Sequence, residues 1–219
     1  MLYHNERNAG VPASLSTQVP VGLHVGHGVK QVSTEKVHVT GNLQNTGNDL
    51  DISIDGAGFF QILQPNGIIA YSRDGHFNID GQGRLVTNDG MPVDPEINIP
   101  VDTRKVEISN DGTVSVFLRD ETQPEAIGSI QLARFQNPAG LTPIGKNLYV
   151  STPASGNAVL DSPAANGMGG LNQGFLEGSN VSLVEEMVNM ITAQRAYEVN
   201  SKAIQSSDEM LKTANGLIR

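Results

Sequence analysis

Residues 179–219 carry a long helical pattern, and no other segment of the sequence offers a second long amphipathic helix to pack against it. Asn180 or Ser182 can cap the first turn, and Glu185 and Glu186 lie where the helix dipole favours acidic side chains. Neither Gly nor Pro interrupts the pattern before Gly216. The sequence therefore predicts a helix of about 34 residues, roughly 50 Å long, which exceeds the usual globular helix.

One side of this helix repeats every seven residues, which is the spacing of a coiled-coil seam. The six large residues of this assembly seam are Leu183, Met190, Tyr197, Ile204, Leu211 and Ile218. They are flanked by Ala196, Ala203, Met210 and Leu217, with the small residues Ala193, Asn200, Ser207 and Ala214 beside them. Either the helix folds back onto the rest of its own chain, or another polypeptide segment covers the seam. The length of the helix favours the second arrangement.

From about Val32 the sequence changes to short β-prone runs separated by turn dipeptides, which predicts hairpins in series. The turn dipeptides are Asn66-Gly67, Asp74-Gly75, Asp80-Gly81, Asp89-Gly90 and Asp111-Gly112, and such pairs accept the positive φ angles of tight turns. The composition, with Gly 24, Pro 11 and only 5% aromatic residues, is typical of a turn-rich β protein with a modest core.

The clearest period-two alternation sets Leu50, Ile52 and Ile54 against Asp51, Ser53 and Asp55. It predicts a strand with one face buried and the other face in water. Phe59 and Phe60 are expected to be internal.

The predicted fold class is mainly β, with an antiparallel, hairpin-rich domain on an extended stem and one long C-terminal helix. Residues 1–31 are an extended incoming stem, and residues 32–151 form the β-rich outer domain. Residues 152–178, rich in Gly, Ala, Ser, Pro and Asn, are a return stem, and residues 179–219 are the helix.

Charge and composition exclude several classes of protein. The net charge of -9 argues against nucleic acid or an anionic membrane as a partner, because binding phosphate requires clustered Lys and Arg. The chain has no Cys, so disulfides, thiolate metal sites and cysteine nucleophiles are excluded. No segment approaches the roughly 20 apolar residues that span a bilayer, and residues 1–10 do not resemble a cleaved secretory signal.

Candidate sites for metals or catalysis are weak. His24 and His27 lack the third protein ligand that a zinc site needs. The run Asp51, Ser53, Asp55 and Gly56 opens like a calcium loop but has Ile62 where the bidentate Glu belongs, and the run Asn78, Asp80, Gln82, Gly83 and Asp89 has no predicted flanking helices. Asp49, Asp51 and Asp55 do not form the spaced carboxylate pair of a glycosidase. We expect no metal, no cofactor, no small-molecule substrate and no catalysis.

A β-rich carbohydrate-binding or adhesive module is the alternative from another class. Such a module needs exposed aromatic platforms, and the sequence holds only 4 Tyr and 6 Phe. A structural polymer subunit accounts better for the helix seam.

Several segments resemble the flagellar rod and hook protein family. They are GNLQNTGNDLDISIDGAGFFQI at 41–62, YSRDGHFNIDGQGRLVTNDG at 71–90, and SNVSLVEEMVNMITAQRAYEVNSKAIQSSDEML at 179–211. Together with GLHVGHGVK at 22–30 and IGKNLYV at 144–150, the likeness covers most of the chain. The size of the middle domain resembles the distal rod members more than the hook members, which usually carry a larger insert; a proximal rod or hook protein is the alternative.

The resemblance implies a structural subunit that polymerises into a hollow helical drive shaft and transmits torque from motor to hook. Its terminal helices would line the inside as a coiled-coil layer, with the β domain outside. Its partners would be further copies, other rod and hook proteins and surrounding ring proteins. It would lie in the periplasm and outer envelope, after type III export without a cleaved signal peptide.

One feature of the family is absent from the sequence. Family members begin with a long N-terminal helix ending near an Asn-rich NNLAN motif, and Met1 resembles a point just beyond that helix. A truncated form, an engineered fragment and a reading frame started late all fit, and they are left open.

Overall fold

The computed structural model describes residues 3–7, 12–14, 17–18, 23–26, 35–119 and 123–217, with side chains at 35–119 and 123–214. The chain divides into two compact units, Met1–Val37 and His38–Arg219. In the first unit the structure describes four short strands, β1 (Tyr3–Arg7), β2 (Pro12–Ser14), β3 (Thr17–Gln18) and β4 (Leu23–Gly26). Strand β1 pairs antiparallel with β4, and β2 pairs antiparallel with β3.

The second unit holds the remaining strands and the helix. The strands before residue 119 are β5 (Leu43–Asn45), β6 (Ile52–Asp55), β7 (Phe59–Leu63), β8 (Ile69–Ser72), β9 (Phe77–Ile79), β10 (Leu85–Thr87), β11 (Val93–Asp94), β12 (Thr103–Ile108) and β13 (Thr113–Leu118). The later strands are β14 (Glu125–Ser129), β15 (Leu132–Arg134), β16 (Thr142–Gly145), β17 (Leu148–Val150), β18 (Val159–Asp161), β19 (Gly170–Gln173) and β20 (Phe175–Glu177). A short 3₁₀ turn (Pro138–Gly140) precedes β16, and the helix α1 (Leu183–Leu217) closes the chain.

The strand pairs are antiparallel, as the hairpin pattern predicts. The largest sheet has the order β16-β17-β8-β7-β15-β18, and β11 also pairs with β7. A second sheet runs β12-β13-β14, and three two-stranded pairs join β9 to β10, β6 to β19 and β5 to β20. The expected fold class, mainly β with one long C-terminal helix, is confirmed.

Strand β7 lies inside the main sheet and separates two hydrophobic clusters. On one side Phe60 packs edge-to-face on Phe77, with 5.1 Å between the ring centroids, within the main core. On the other side Phe59 joins a smaller cluster that includes Tyr71 and Phe135. Successive strand residues point to opposite faces, so adjacent phenylalanines supply both clusters. The expectation that Phe59 and Phe60 are internal is confirmed.

The alternation predicted for β6 is wrong on its polar side. Ile52 and Ile54 are fully buried as expected, and Asp55 is exposed, but Asp51 and Ser53 are also buried. The polar face of β6 is therefore covered at Asp51 and Ser53 and reaches water at Asp55. Asp51 tolerates burial because polar side chains bind both of its carboxylate oxygens.

The turn dipeptides adopt the predicted conformation only in part. Gly67, Gly90 and Gly112 have the positive φ angles expected of their turns. In the turn after Asp80 the positive φ lies at Gly83 instead of Gly81, and Gly75 has none. The dipeptide pattern thus locates the turns without fixing which residue is left-handed.

The long helix forms as predicted. Ser182 serves as the cap, because its carbonyl oxygen accepts the backbone N–H of Glu186 at 3.1 Å and its Oγ lies 3.5 Å from the backbone nitrogen of Glu185. The side chain of Asn180 donates instead to the carbonyl oxygen of Val39 at 3.1 Å. Among the described residues, no helix combines the length and apolar character needed to cross a membrane.

The segment predicted as a return stem is partly built into the sheets. Strand β18 pairs with β15 and β19 pairs with β6, while β20 pairs with β5. Short strands within 152–178 therefore close the β region against earlier strands. The domain boundaries drawn from the sequence stay a prediction.

We expect Phe60→Ala to lower the free energy of unfolding by about 3–5 kcal/mol, because the ring is fully buried and its removal leaves a cavity. Val159→Ala, at an exposed strand position, is the control and should change it by about 0.5 kcal/mol or less. Urea unfolding followed by circular dichroism measures both. Equal effects for the two variants would contradict the assignment of the core.

Candidate assembly site

The described residues of the assembly seam all lie in water. Leu183 is 78% exposed, Tyr197 is 76% exposed, and Met190, Ile204 and Leu211 are between 59% and 65% exposed. Ile218 lies outside the described residues. The five described side chains of the assembly seam are thus exposed, and their role in assembly stays a prediction.

The helix does not fold back onto the β region. Neither hydrophobic cluster of the described residues includes a residue of α1. Of the helix side chains that the structure describes, only Ser201 is partly buried, and the others are exposed. Within the second unit, the described residues of the β region therefore do not cover the described part of the seam.

A second apolar face lies on the first turns of α1, and the heptad pattern missed it. Val184, Met187, Val188 and Ile191 are all exposed. They follow the i, i+3, i+4, i+7 spacing of one helix face. At about 100° per residue, Val184 and Ile191 lie roughly a quarter turn from the seam residues that precede them. Reading the 3.6-residue period beside the heptad would have found this face.

A two-stranded ribbon, formed by β5 and β20 with the residues that continue them, joins the β region to the helix. Glu177 pairs with Leu43, and the backbone N–H of Gly178 donates to the carbonyl oxygen of Asn42 at 2.8 Å. The Asn180 contact with Val39 continues the ribbon to within three residues of the helix. The helix is thus attached through two hydrogen-bonded segments rather than a single one.

Neighbouring side chains hydrogen-bond the carboxylate of Asp51, which was considered from the sequence as a calcium ligand or catalytic group. Its Oδ2 accepts from the hydroxyl of Thr46 at 2.6 Å, and its Oδ1 accepts from the amide of Asn48 at 3.1 Å. The Nδ1 atom of His76 lies 2.6 Å from the same Oδ1. The side chain is 4% exposed, so this carboxylate ties structure together at a site closed to solvent.

The second candidate calcium loop is a hairpin turn held by Asp80. One oxygen of Asp80 accepts the backbone N–H groups of Gln82 at 2.8 Å and Arg84 at 2.9 Å, and the other accepts Nε–H of Arg84 at 2.9 Å. The backbone N–H of Arg84 is the largest cause that lowers the pKa of Asp80.

The structure describes the side chain of neither His24 nor His27. In the described ranges, no three His, Asp or Glu side chains are grouped to hold a metal.

Comparisons with known proteins identify two matching family models and several relatives. Residues 53–116 match the family described as flagellar hook protein FlgE/F/G D1 domain, and residues 172–217 match flagellar basal body rod FlgEFG protein C-terminal. The flagellar basal-body rod protein FlgG of Buchnera aphidicola subsp. Acyrthosiphon pisum is 48% identical over 99% of this chain and 84% of the relative. The chain belongs to the flagellar basal-body rod protein family.

Two further relatives, from other organisms, differ in how similar they are to this chain. The flagellar basal-body rod protein FlgG of Borreliella burgdorferi is 47% identical over 100% of this chain and 83% of the relative. The flagellar hook-basal body complex protein FlhP of Bacillus subtilis is 31% identical over 97% of this chain and 80% of the relative. The family resemblance expected from the sequence motifs is confirmed.

We expect the stability provided by the Asp80 turn of this rod family member to depend on pH. Because the pKa of Asp80 is lowered in the folded chain, its contribution is present above the ordinary Asp pKa of about 3.9 and is lost as pH falls through the lowered value. Asp80→Asn should therefore be destabilising at pH 7, and the difference from the unsubstituted chain should shrink towards pH 2.5.

Urea unfolding at a series of pH values checks this, with the exposed Asp55→Asn as the matched control. A stability difference for Asp80→Asn that stays constant from pH 7 to pH 2.5 would contradict the assigned role of its charge.

Proposed function

We propose that this chain, a structural subunit of the flagellar distal rod, polymerises into a hollow helical shaft with α1 in its inner layer and the β region outside. The observation that carries the proposal is the exposure of five large seam residues along a helix of 35 residues. A monomeric protein rarely leaves so long an apolar stripe in water, and such stripes mark interaction surfaces.

The energy available at the seam is large enough to drive association. Burying one large apolar side chain contributes about 1.5–3 kcal/mol, so six seam residues give on the order of 10 kcal/mol before the loss of entropy on ordering. The heptad spacing selects a helical partner, because knobs at every seventh residue fit the holes of a neighbouring helix. We propose that this partner is a terminal helix of another rod subunit.

The remaining steps concern what the assembled shaft does. The chain belongs to a family of flagellar basal-body proteins, and we propose that it transmits torque from motor to hook within the periplasm and outer envelope. Its neighbours in that position are other rod and hook proteins and the surrounding ring proteins. Export through the flagellar type III apparatus is part of the same proposal, and so is the absence of catalysis.

We expect Ile204→Asp to abolish assembly without unfolding the β region. The charge would lie in the middle of the seam, where burial without a partner is unfavourable, whereas in the free subunit the side chain is in water. The chain carrying an N-terminal helix from a rod relative should form rod-like or fibrous assemblies visible by electron microscopy, and its Ile204→Asp form should not.

The matched control is Gln205→Asp, which places the same charge one residue away from the seam on the same helix. It should assemble, and circular dichroism should show equal secondary structure for both variants. Normal assembly of Ile204→Asp, or equal loss in both variants, would remove the seam from the proposal.

A further inference from the structure

The four-residue turn Arg73–His76 packs against the start of β6. The backbone N–H of Ile52 donates to the carbonyl oxygen of Gly75 at 3.0 Å, and His76 forms an isolated antiparallel bridge with Asp51. A Cβ atom on Gly75 would overlap the carbonyl oxygen of Ile52, so no side chain fits at this position. The turn is therefore held tightly against the β region. The side chains at its two ends have different partners: Arg73 binds Glu177, and His76 contacts Asp51.

At the first end, the guanidinium of Arg73 joins the β region to the ribbon. Its Nη1 donates to the carbonyl oxygens of Gly56 at 3.0 Å and Gly58 at 3.1 Å, in the loop between β6 and β7. Its Nε donates to Oε2 of Glu177 in β20 at 2.8 Å, and its Nη2 lies 3.4 Å from the hydroxyl of Thr40, just before β5. The single side chain of Arg73 thus contacts both the rest of the β region and the two segments of the ribbon.

Glu177 connects the two segments to each other. Its second oxygen, Oε1, accepts the backbone N–H of Gly41 at 2.9 Å, so the carboxylate binds Arg73 and the opposite segment at once. The Arg73 and Glu177 side chains are only 15% and 11% exposed. Removing either partner leaves the other charge largely buried and unpaired, which is strongly unfavourable.

At the other end of the turn, His76 contacts the far end of the same ribbon through Asp51. The carboxylate of Asp51 binds His76 and the hydroxyl of Thr46, and the backbone N–H of Thr46 donates to the carbonyl oxygen of Gly174 at 2.8 Å. The backbone N–H of Gly174 donates in turn to the carbonyl oxygen of Asp51 at 2.7 Å. The two ends of the turn therefore reach the two ends of the ribbon.

We infer that the Arg73–His76 turn is a clamp that positions the ribbon on the β region and so couples the long helix to the body of the subunit. A two-stranded ribbon alone is marginally stable in water, and this one has only three paired positions between β5 and β20. The clamp holds the ribbon in place at both ends. Arg73 forms charged hydrogen bonds at one end, and His76 contacts the buried carboxylate of Asp51 at the other. The inference rests on the proposed function, in which load on the helix must reach the body without the ribbon separating.

The test is amide hydrogen exchange on the full chain, read by mass spectrometry in its unassembled form. Arg73→Met keeps an unbranched side chain but removes every donor, and Glu177→Gln keeps the shape but removes the charge. We expect exchange at least tenfold faster in peptides covering 39–46 and 174–181. Peptides from the β12-β13-β14 sheet should change less than twofold.

Arg104→Met and Glu125→Gln repeat the same substitutions at exposed positions and should leave the ribbon's exchange unchanged. Arg73→Lys, which keeps the charge but cannot reach all the acceptors, should give an intermediate rate. It also serves as the folded substitute if Arg73→Met does not fold.

Faster exchange in the ribbon and the β12-β13-β14 sheet alike would make Arg73 a residue of general stability and overturn the inference, as would unchanged exchange in both. Because the measurement needs no assembly, these outcomes are separate from the Ile204→Asp test of the proposed function.

Discussion

The long helix carries an apolar stripe that the described β region does not bury, and this is the constraint on which the rest of the structure depends. In water such a helix is marginal, since most helical stability in proteins comes from packing an apolar face. The β region has two hydrophobic clusters of its own and takes no residue from α1. The hydrophobic core of the β region and the apolar face of the helix are therefore separate among the described residues, and under the proposed function another molecule buries the second.

This separation places unusual demands on the joint. In a globular protein, the packing of a terminal helix fixes its position, but here the connection must do so. The ribbon continues nearly to the helix cap, and Asn180, which the sequence also offered as a cap, is used in the ribbon while Ser182 caps the helix. Polar side chains thus form the joint, while the large apolar side chains described on the helix are exposed.

The sequence predicted the features that depend on local patterns, such as the long helix α1 and the buried Phe60. It failed where a distant segment decides the outcome. Asp51 and Ser53 were expected on a solvated face, because alternation cannot show that His76 will lie against the carboxylate of Asp51 or that the carbonyl oxygen of Asn172 will accept from the hydroxyl of Ser53. The Gly-rich segment 152–178 was predicted as a return stem for the same reason, since its strand partners in β5 and β6 lie over a hundred residues earlier. Arg73 carried no signal of its role until its partner Glu177 was placed beside it.

Apolar contacts along the seam and hydrogen bonds at the joint differ in a way that suits a polymer subunit. Apolar burial is non-directional and roughly proportional to area, so under the proposed function contacts along the seam would tolerate small shifts between neighbouring subunits. The hydrogen bonds of Arg73 are directional, and the planar guanidinium fits its carboxylate and carbonyl acceptors in one geometry. In such an assembly, shifts between subunits would be confined to the helix surface, and the joint within each subunit would resist them. Under the proposed function, a torque applied through the inner helices would then move the outer β regions with them.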